Sequence, residues 1–536
     1  MGRGQGKGKK AFLQQVPPIS TLDTITKPPT IISPQQMHRT NSNSTLHTEK
    51  TEIEEAPIFT LVTTYISYFI LILFGHIRDV FGQIFKKEHY EHLHTKNGMA
   101  PINHGFDTFY HRRLYVRIRD VFNRPITNVP GRTVTLLDRT SSDFNKTFEF
   151  TGKTREVLNL SSYNYLGFAQ AQGPCADAVE AAVKEYGIAS ASPRMDVGTH
   201  ALHVEAEKLI ANFLGKEDCL LVSMGFATNS TTLPALVSKG CLIISDELNH
   251  SSLVYGARLS GANIRIFKHN DMEDLEAVVR ESISQGQPRT HRPWKKILLV
   301  VEGLYSMEGT ICNLPKIVEI KKKYKLFVYL DEAHSIGALG PNGRGVCDYF
   351  GIDPKEIDIM MGTFTKSFGA AGGYLGATRE VIEHLRFNCQ ANIYAEAMAI
   401  PVLQQVITSL NIISGKIEGG EGRRRIQQLA TNASYFAKEL RKMGFIVYGK
   451  DSPVVPLLLF HPAKIPAFSR EMLKRGIAVV VVGYPATPII TSRVRFCLSA
   501  AHTMEDMNFA LEMCSEVGDL LQLKVTSEGK KHLKEE

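Results

Sequence analysis

LFVYLDEAH (residues 326–334) and IDIMMGTFTKSFGAAGGY (residues 357–374) are the two stretches that decide the fold. Each opens with a short run of apolar residues, which is typical of a strand that is buried on both faces of a parallel sheet. The first run ends at Asp331, and the second leads to Lys366 and a glycine-rich loop. Ligands of doubly wound sheets bind outside the carboxyl ends of the strands, so these two strand ends are the predicted place of a binding site.

Four more apolar runs precede these two, and helical stretches separate them. The runs are CLLVS (219–223), CLIIS (241–245), IRIF (264–267) and ILLVVEG (297–303). The intervening segments, such as EAEKLIANFLG and LPKIVEIKKKYK, have helical periodicity. Strands that alternate with helices predict an α/β fold with a mainly parallel sheet.

The sequence predicts a second, smaller α/β domain after about residue 400. A long helical stretch, RRIQQLATNASYFAKELRKMG, is followed by strands around VVPLLLF and IAVVVVG. The predicted division of the chain is a disordered segment (1–55), a membrane-spanning or interfacial helix (56–84), a linker with the N-terminal part of the small domain (85–155), the large domain (156–400), the small domain (401–524) and a flexible tail (525–536).

Composition favours a globular enzyme over a nucleic-acid-binding protein. The 536 residues are 43% hydrophobic and 22% charged, and the net charge of +8 is modest for this length. Part of the basic excess lies in the leader GRGQGKGKK rather than along one helical face. The eight cysteines form no CxxC pair and no zinc-like spacing, so no metal site is predicted. Cys312 and Cys347 are either reactive thiols or inert core residues.

Residues 57–75 form an uncharged stretch, PIFTLVTTYISYFILILFG, that is about as long as a membrane-spanning helix. Three glutamates precede this stretch, whereas Arg78, Lys86 and Lys87 follow it. The positive-inside tendency therefore predicts that the large C-terminal part faces the cytosol. The Thr and Ser hydroxyls and the amphipathic continuation HIRDVFGQIFKK leave a second interpretation open, a helix that lies in the membrane interface.

Lys366 lies at a strand end among hydroxyl and glycine residues, where it would ordinarily be a surface lysine or a phosphate ligand. A P-loop requires a glycine directly before its lysine, and this chain has Thr365 there. The small neighbours fit instead a lysine that forms an imine with a planar aldehyde cofactor. Such a lysine needs a lowered pKa, which a partly desolvated and cation-rich site supplies.

DEAHSIGALGPNGRG (331–345) and MGTFTKSFGAAGGY (361–374) resemble the α-oxoamine synthases, a family of fold-type I pyridoxal-phosphate enzymes. Within that family the similarity is greatest to the catalytic subunits of eukaryotic serine palmitoyltransferases. It is collinear from LNLSSYNYLGFAQ (158–170) to GYPATPIITSRVRFCLSAAH (483–502). The resemblance implies the fold-type I architecture, with pyridoxal 5'-phosphate bound in the large domain.

The resemblance implies a role for each side chain at the cofactor ring. Lys366 would form the imine and later move protons, and Asp331 would face the pyridine nitrogen and keep the ring protonated. His250 would stack on the ring. His334 and Ser306 would hydrogen-bond the ring hydroxyl.

The resemblance also implies the residues that hold the cofactor phosphate and the amino-acid substrate. Backbone amides at a helix N-terminus favour anions, and the implied phosphate ligands are Gly225, Phe226, Thr363 and Thr365. Arg495 would bind the substrate carboxylate, because a guanidinium fork binds a carboxylate bidentately. The neighbouring Arg493 is an alternative for this role.

Two segments depart from the family pattern. Ala395 and Glu396 stand where small hydroxyl residues are expected, and Ala191 and Pro193 interrupt the usual C-S-T-R pattern. In a dimer with sites between subunits, the first segment would serve the partner's site. Its loss would be tolerable if the partner is a non-catalytic subunit 1 homologue, and small activating subunits and ORM-type regulators are further expected partners.

The implied reaction condenses L-serine with palmitoyl-CoA and gives 3-ketosphinganine, CoA and CO2, at the endoplasmic reticulum membrane. A second interpretation is an α-oxoamine synthase that uses another amino acid. It does not explain the membrane segment, since an enzyme with a soluble CoA substrate needs no bilayer. A non-catalytic scaffold subunit is the third reading. Such a subunit should have lost its imine-forming lysine, whereas this chain has Lys366.

Overall fold

The computed structural model of the chain describes residues 57–85, 90–95, 97–101, 108–417 and 419–526, all within the unit Glu54–Glu536. The predicted disordered segment 1–55 and all but the first two residues of the predicted tail 525–536 lie outside the described residues.

The helices are α1 (Ile58–Phe85), α2 (Phe109–Arg113), α3 (Pro174–Tyr186), α4 (Ala201–Leu214), α5 (Gly225–Leu236), α6 (Ser251–Ser260), α7 (Met272–Gln285), α8 (Leu314–Tyr324), α9 (Val346–Phe350), α10 (Arg379–Asn388), α11 (Gln390–Tyr394), α12 (Ile400–Ile413), α13 (Glu421–Lys442), α14 (Lys464–Lys474) and α15 (Met504–Leu520). The strands are β1 (Thr133–Thr140), β2 (Glu149–Asn159), β3 (Asp218–Val222), β4 (Leu242–Asp246), β5 (Asn263–Phe267), β6 (Ile297–Glu302), β7 (Phe327–Asp331), β8 (Ile359–Thr363), β9 (Gly373–Ala377), β10 (Val454–Leu458), β11 (Ile477–Ala478), β12 (Val480–Val482) and β13 (Arg493–Cys497).

The central sheet has the strand order β3-β9-β8-β7-β6-β4-β5. Strands β8, β7, β6, β4 and β5 are parallel to one another, whereas β9 is antiparallel to both β3 and β8. Each of the six apolar runs forms one of these strands, with ends within two residues of the prediction. Every residue of β4 and of β8 is buried, as expected for strands that helices cover on both faces.

Strand β9 corrects the prediction of a loop at its position. Its sequence GYLGA reads as part of the glycine-rich loop because glycine is depleted in ordinary strands. The glycines are explained by close packing. A Cβ atom added at Gly373 would lie 2.6 Å from Thr228 Oγ1 and 2.7 Å from the carbonyl oxygen of Gly362.

Helix α8 shows how the predicted helical segments obtain their ends. The side chain of Asn313 accepts a hydrogen bond from the backbone N–H of Lys316, and Pro315 occupies the first turn. Its buried residues, Leu314, Ile317, Val318 and Ile320, recur with helical spacing and pack into the main hydrophobic core.

Two small sheets complete the fold on the C-terminal side. Strands β10, β13 and β12 form an antiparallel sheet. In the other sheet, β2 pairs with β1 in an antiparallel hairpin and with β11 in parallel. The N-terminal residues 133–159 therefore join the C-terminal part of the chain. The predicted single strand IAVVVVG is in fact two short strands, β11 and β12, in different sheets.

One face of helix α1 packs against the rest of the described chain. The hydroxyls of Thr63 and Ser67 are 3.2 and 3.3 Å from the ring nitrogens of His461. Four turns further on, Asp79 binds the guanidinium groups of Arg112 and Arg113. Away from these contacts the helix exposes Phe59, Val62, Ile66, Phe69, Leu73, Phe74 and Phe81. It is the one helix among the described residues that is long and apolar enough to cross a membrane.

Candidate active site

The predicted site residues lie together in a cavity of about 410 Å³ at the carboxyl ends of β6, β7 and β8. All ten line its wall, namely Gly225, Phe226, His250, Ser306, Asp331, His334, Thr363, Thr365, Lys366 and Arg495. Residues that the sequence did not single out also line it, namely Tyr163, Asn229, Ser252, Glu302, Met307, Ala333 and Met361.

Asp331 is the last residue of β7, and only 3% of it is exposed. Its Oδ2 accepts a hydrogen bond of 2.7 Å from the Asn229 side chain. Its Oδ1 accepts one of 2.8 Å from the backbone N–H of Ala333. Both carboxylate oxygens are thus held in place before any ligand binds.

Lys366 follows β8 by three residues, and its Nζ lies 3.3 Å from Thr363 Oγ1. Burial lowers the pKa of Lys366 to about 8, against the opposing charges of Asp331 and Glu302 and with help from Arg495. A substantial fraction of this amine is therefore neutral slightly above pH 7, which is what a nucleophilic lysine requires.

His250 precedes α6 and caps it. Its Nδ1 accepts from the backbone N–H of Ser252 at 3.2 Å and lies 2.7 Å from the Ser252 hydroxyl. Its ring makes an edge contact with Phe226, with centroids 6.3 Å apart. Burial lowers the pKa of His250, the charge on Asp331 opposes this shift, and Lys366 adds to it. The imidazole is therefore neutral near pH 7.

His334 lies three residues after Asp331 and is buried. Its Nδ1 is 2.8 Å from the hydroxyl of Tyr165, and its ring makes an edge contact with Tyr163. Burial lowers the pKa of His334 well below its usual value, and the nearby charges of Lys366 and Arg495 add to this effect. Ser306, on the loop after β6, lines the same cavity.

The residues that the sequence analysis assigned to the phosphate lie at the start of α5 and beyond the end of β8. Gly225 is the first residue of that helix, and a Cβ atom there would lie 3.1 Å from Thr363 Cγ2. The hydroxyl of Thr365 is 3.3 Å from that of Thr363, so the two threonines and the helix N-terminus converge. Free N–H groups and the helix dipole favour a phosphate there.

Arg493 and Arg495 differ in their hydrogen-bond partners. Arg493 binds Glu308 Oε1 at 3.1 Å and the carbonyl oxygens of Met307 and Thr491 at 2.6 and 2.8 Å. Arg495 makes hydrogen bonds to the Tyr163 hydroxyl and to Met307 Sδ, and its guanidinium also contacts the Cys497 side chain. Its Nε is buried without a hydrogen-bond partner. These contacts favour Arg495 as the residue that receives a ligand carboxylate.

Residues 155–513 match the family described as aminotransferase class I and II. Serine palmitoyltransferase 2 of Schizosaccharomyces pombe is 55% identical over 492 residues, which cover 91% of this chain and 82% of that protein. Serine palmitoyltransferase 3 of Homo sapiens is 51% identical over 88% of this chain and 86% of its own length. The chain belongs to the serine palmitoyltransferase family.

The family's fold is also found among solved structures. A structure of SPT with PLP as the internal aldimine superimposes with a TM-score of 0.66 and 28% identity, covering 75% of this chain and 94% of that one. The family and the fold-type I architecture that the sequence predicted are thus confirmed.

Glu302 is a site residue that the sequence prediction missed, although a signal was available. It ends the apolar run of β6 as Asp331 ends that of β7, and the two residues pair across the sheet. Its Oε1 accepts a hydrogen bond of 2.5 Å from the backbone N–H of His250. Burial raises the pKa of Glu302 well above its usual value, and the charge on Asp331 raises it further. Burial and the neighbouring Asp331 thus both favour the protonated form of Glu302.

Ala395 and Glu396 do not line the cavity. Glu396 is exposed and forms an isolated antiparallel bridge with Pro193, so the two departures from the family pattern lie side by side on the surface. This position is compatible with their predicted role toward a partner subunit.

The sequence left open whether Cys312 and Cys347 are reactive thiols, and it predicted no metal site. All eight cysteines are buried and free, and burial raises the pKa of both Cys312 and Cys347. A raised pKa keeps the thiol protonated, which favours the reading of inert core residues. Among the described residues, no group of His, Cys, Asp and Glu side chains could hold a metal ion.

The residues in the cavity fit pyridoxal phosphate. A buried lysine with a lowered pKa faces a fixed carboxylate, a helix N-terminus with two threonine hydroxyls can hold a phosphate, and an imidazole stands on the wall. The unpartnered Nε of Arg495 leaves a place for the carboxylate of an amino acid.

Proposed function

We propose that this cavity catalyses the pyridoxal-phosphate-dependent condensation of L-serine with palmitoyl-CoA to 3-ketosphinganine, CoA and CO2. The observation that carries the proposal is the juxtaposition in one cavity of Lys366 with Asp331 and with Arg495, whose Nε has no hydrogen-bond partner. The enzyme class and the cofactor predicted from the sequence are those named for the relatives.

Pyridoxal phosphate, when bound, supplies an electrophilic aldehyde and a ring that accepts the electron pair of a bond broken at the amino-acid α-carbon. Lys366 would hold the aldehyde carbon covalently through Nζ. The same nitrogen, as a free amine, would take the α-proton of serine, because its lowered pKa leaves it partly neutral. Asp331, which Asn229 and Ala333 hold by hydrogen bonds, would keep a proton on the ring nitrogen.

The other wall residues bind and orient. His250 would lie against the ring, and His334 and Ser306 would hydrogen-bond the ring hydroxyl. Gly225, Phe226, Thr363 and Thr365 would hold the phosphate. Arg495 would bind the serine carboxylate and orient the bonds at the α-carbon relative to the ring.

The two alternative functions fit less well. A soluble α-oxoamine synthase does not need helix α1, which exposes apolar side chains along most of its length. A scaffold subunit does not need a buried lysine with a lowered pKa beside a fixed carboxylate.

Two buried lysines of similar pKa allow a matched test. Burial lowers the pKa of Lys216 to about 8 as well, but its Nζ donates to the carbonyl oxygens of Pro354 and Ile357, and it does not line the cavity. We expect Lys366→Met to abolish turnover and the long-wavelength absorbance of lysine-bound pyridoxal phosphate. Lys216→Met should lower thermal stability and keep both signals. Turnover in the Lys366 variant, or loss of the absorbance only in the folded Lys216 variant, would contradict the proposal.

We propose further that the active enzyme is a heterodimer with a non-catalytic subunit 1 homologue. Apolar side chains are exposed beside the cavity and beside the Pro193–Glu396 bridge, namely Ile188, Val197, Met224, Phe226, Tyr255 and Tyr394. Phe226 both lines the cavity and is 38% exposed, so the site adjoins this apolar surface. Small activating subunits and ORM-type regulators stay predictions. Co-expression with a subunit 1 homologue should give serine palmitoyltransferase activity that the chain alone lacks.

We propose that α1 attaches the protein to the endoplasmic reticulum membrane by lying in the interface, with the catalytic part in the cytosol. Its contacts with the rest of the chain run from Thr63 to Asp79, which is 16 residues or about 24 Å of helix. A spanning helix would carry these partners, including the charged Arg112 and Arg113, into a hydrocarbon core about 30 Å thick. A helix in the interface keeps these contacts and buries only its exposed apolar face in lipid.

A further inference from the structure

A buried amide in the cavity wall, that of Asn229, connects several of the polar groups of the site. Asn229 lies in α5 and is 2% exposed. Its Nδ2 donates to Asp331 Oδ2 at 2.7 Å and to Ser252 Oγ at 2.9 Å. Its Oδ1 accepts from the Tyr329 hydroxyl at 2.8 Å. Both N–H donors of the amide are thus used, and its oxygen accepts one hydrogen bond.

The partners determine which way this amide points. An ionised carboxylate can only accept hydrogen bonds, so the atom beside Asp331 Oδ2 must be the nitrogen. The oxygen then faces Tyr329, whose hydroxyl is fully buried and can donate to it. Tyr329 therefore fixes the amide orientation that Asp331 requires.

The same amide reaches His250 through one hydroxyl. Ser252 Oγ accepts from Asn229 Nδ2, so its own proton is free to be donated to His250 Nδ1, 2.7 Å away. The Ser252 backbone N–H points to the same nitrogen. Two donors at Nδ1 leave the proton of a neutral imidazole on Nε2, which has no hydrogen-bond partner in the described part of the chain.

We propose that Asn229 is a positioning residue of this site, which orients the Asp331 carboxylate and, through Ser252, sets the Nε2–H tautomer of His250. The inference rests on the proposed function, because the two groups that it couples are those assigned to the ring nitrogen and the ring face. One amide thereby positions both Asp331, at the edge of a planar ligand, and His250, at its face. A residue that hydrogen-bonds a group touching a cofactor fixes the orientation and protonation of that group.

Helix α5 carries residues of both ends of the proposed site. Its first residue, Gly225, belongs to the proposed phosphate end, and Asn229 lies four residues further along. Four residues are about one turn and about 6 Å of rise, so both positions lie on the same side of the helix. One rigid element thus sets the phosphate end and the carboxylate end of the site.

The test compares Asn229→Leu and Tyr329→Phe in the full-length chain loaded with pyridoxal phosphate, and kcat is measured after co-expression with a subunit 1 homologue. Leucine has a similar volume but no donor. We expect kcat to fall roughly 10- to 100-fold, since a charged group loses a hydrogen bond. Tyr329→Phe should lower kcat roughly 2- to 10-fold, since it loses a neutral hydrogen bond.

A second readout separates positioning from packing. The pH midpoint of the visible absorbance of lysine-bound cofactor depends on the titratable groups that interact with Asp331. These are Lys366, His250, Glu302, Glu332, Tyr329 and Tyr374. Without the Asn229 donor, the negative charge on Asp331 is less well stabilised. The nitrogen that joins Lys366 to the cofactor is cationic when protonated, and a carboxyl group that is less often ionised stabilises that cation less. The midpoint should therefore move to lower pH, by on the order of one unit.

Asn432→Leu is the matched control. Asn432 is also a fully buried asparagine, but its Nδ2 donates to the carbonyl oxygens of Ser499 and His502, and it does not line the cavity. Its variant should lose thermal stability and keep the midpoint. If Asn229→Leu and Tyr329→Phe keep kcat within about twofold and leave the midpoint in place, Asn229 is core packing and the inference fails. If the leucine variant does not fold, Tyr329→Phe decides alone. The Lys366 test is independent of this outcome.

Discussion

Replacement of Arg495 tests the substrate end of the site most directly. Of the five N–H donors of its guanidinium, no more than three are used in the structure, by the Tyr163 hydroxyl, Met307 Sδ and the Cys497 side chain. A bidentate carboxylate needs two more, and the unpartnered Nε is one of those that remain. A charge-assisted hydrogen bond contributes about 1.5 to 3 kcal/mol. Since 1.4 kcal/mol is tenfold, Arg495→Gln should raise the KM for serine about 10- to 100-fold.

Arg493→Gln is the control for this prediction, because it lies two residues away on the same face of β13. Its hydrogen bonds to Glu308, Met307 and Thr491 are structural. Its loss should lower the free energy of unfolding by about 3 to 5 kcal/mol, as for a broken buried ion pair. The assay is steady-state kinetics of the co-expressed complex with varied serine, beside thermal unfolding. A raised KM in the Arg493 variant with an unchanged KM in the Arg495 variant would refute the assignment.

Three further outcomes are expected. Cofactor incorporation into the apo chain, followed by absorbance, should accelerate as pH rises through about 8 and level off above it, because only the neutral amine of Lys366 attacks an aldehyde; a pH-independent rate would contradict the lowered pKa. Glu396→Ser should leave the activity of the co-expressed complex within about twofold, since this exposed residue does not line the cavity; a large loss would place it in the working site. Phe69→Asp together with Phe74→Asp should release the protein from vesicles in a flotation assay, because both side chains lie on the exposed apolar face of α1; unchanged flotation would show that another surface binds lipid.

The strand ends were predictable because burial on both faces leaves a strong sequence signal. Runs such as LFVYLD and IDIMMGT are apolar until the strand leaves the core, so the first polar residue marks the edge where a site forms. The same reasoning applied to ILLVVE would have found Glu302. Strand β9 escaped because tight packing, rather than strand propensity, selects its glycines.

Side chains that act through another residue, rather than directly on a ligand, leave no such signal. Asn229 lies within GFATNSTTLPAL, a helix whose polar residues look like any solvated face, and its partners come from β7 and α6. The choice between Arg493 and Arg495 was equally hidden. Residues two apart in a strand share a face, and only the position of Glu308, on a loop almost 190 residues earlier in the chain, distinguishes them.

Helix α5 restricts insertions and deletions more than it restricts substitutions. A residue inserted between Gly225 and Asn229 would turn the amide by about 100° around the helix axis and move it by about 1.5 Å. No rotamer change of a short side chain restores a contact that has moved to another side of its helix. Under the proposed assignments, the spacing between these two residues sets the distance from the phosphate end of the site to the carboxylate that would face the ring nitrogen.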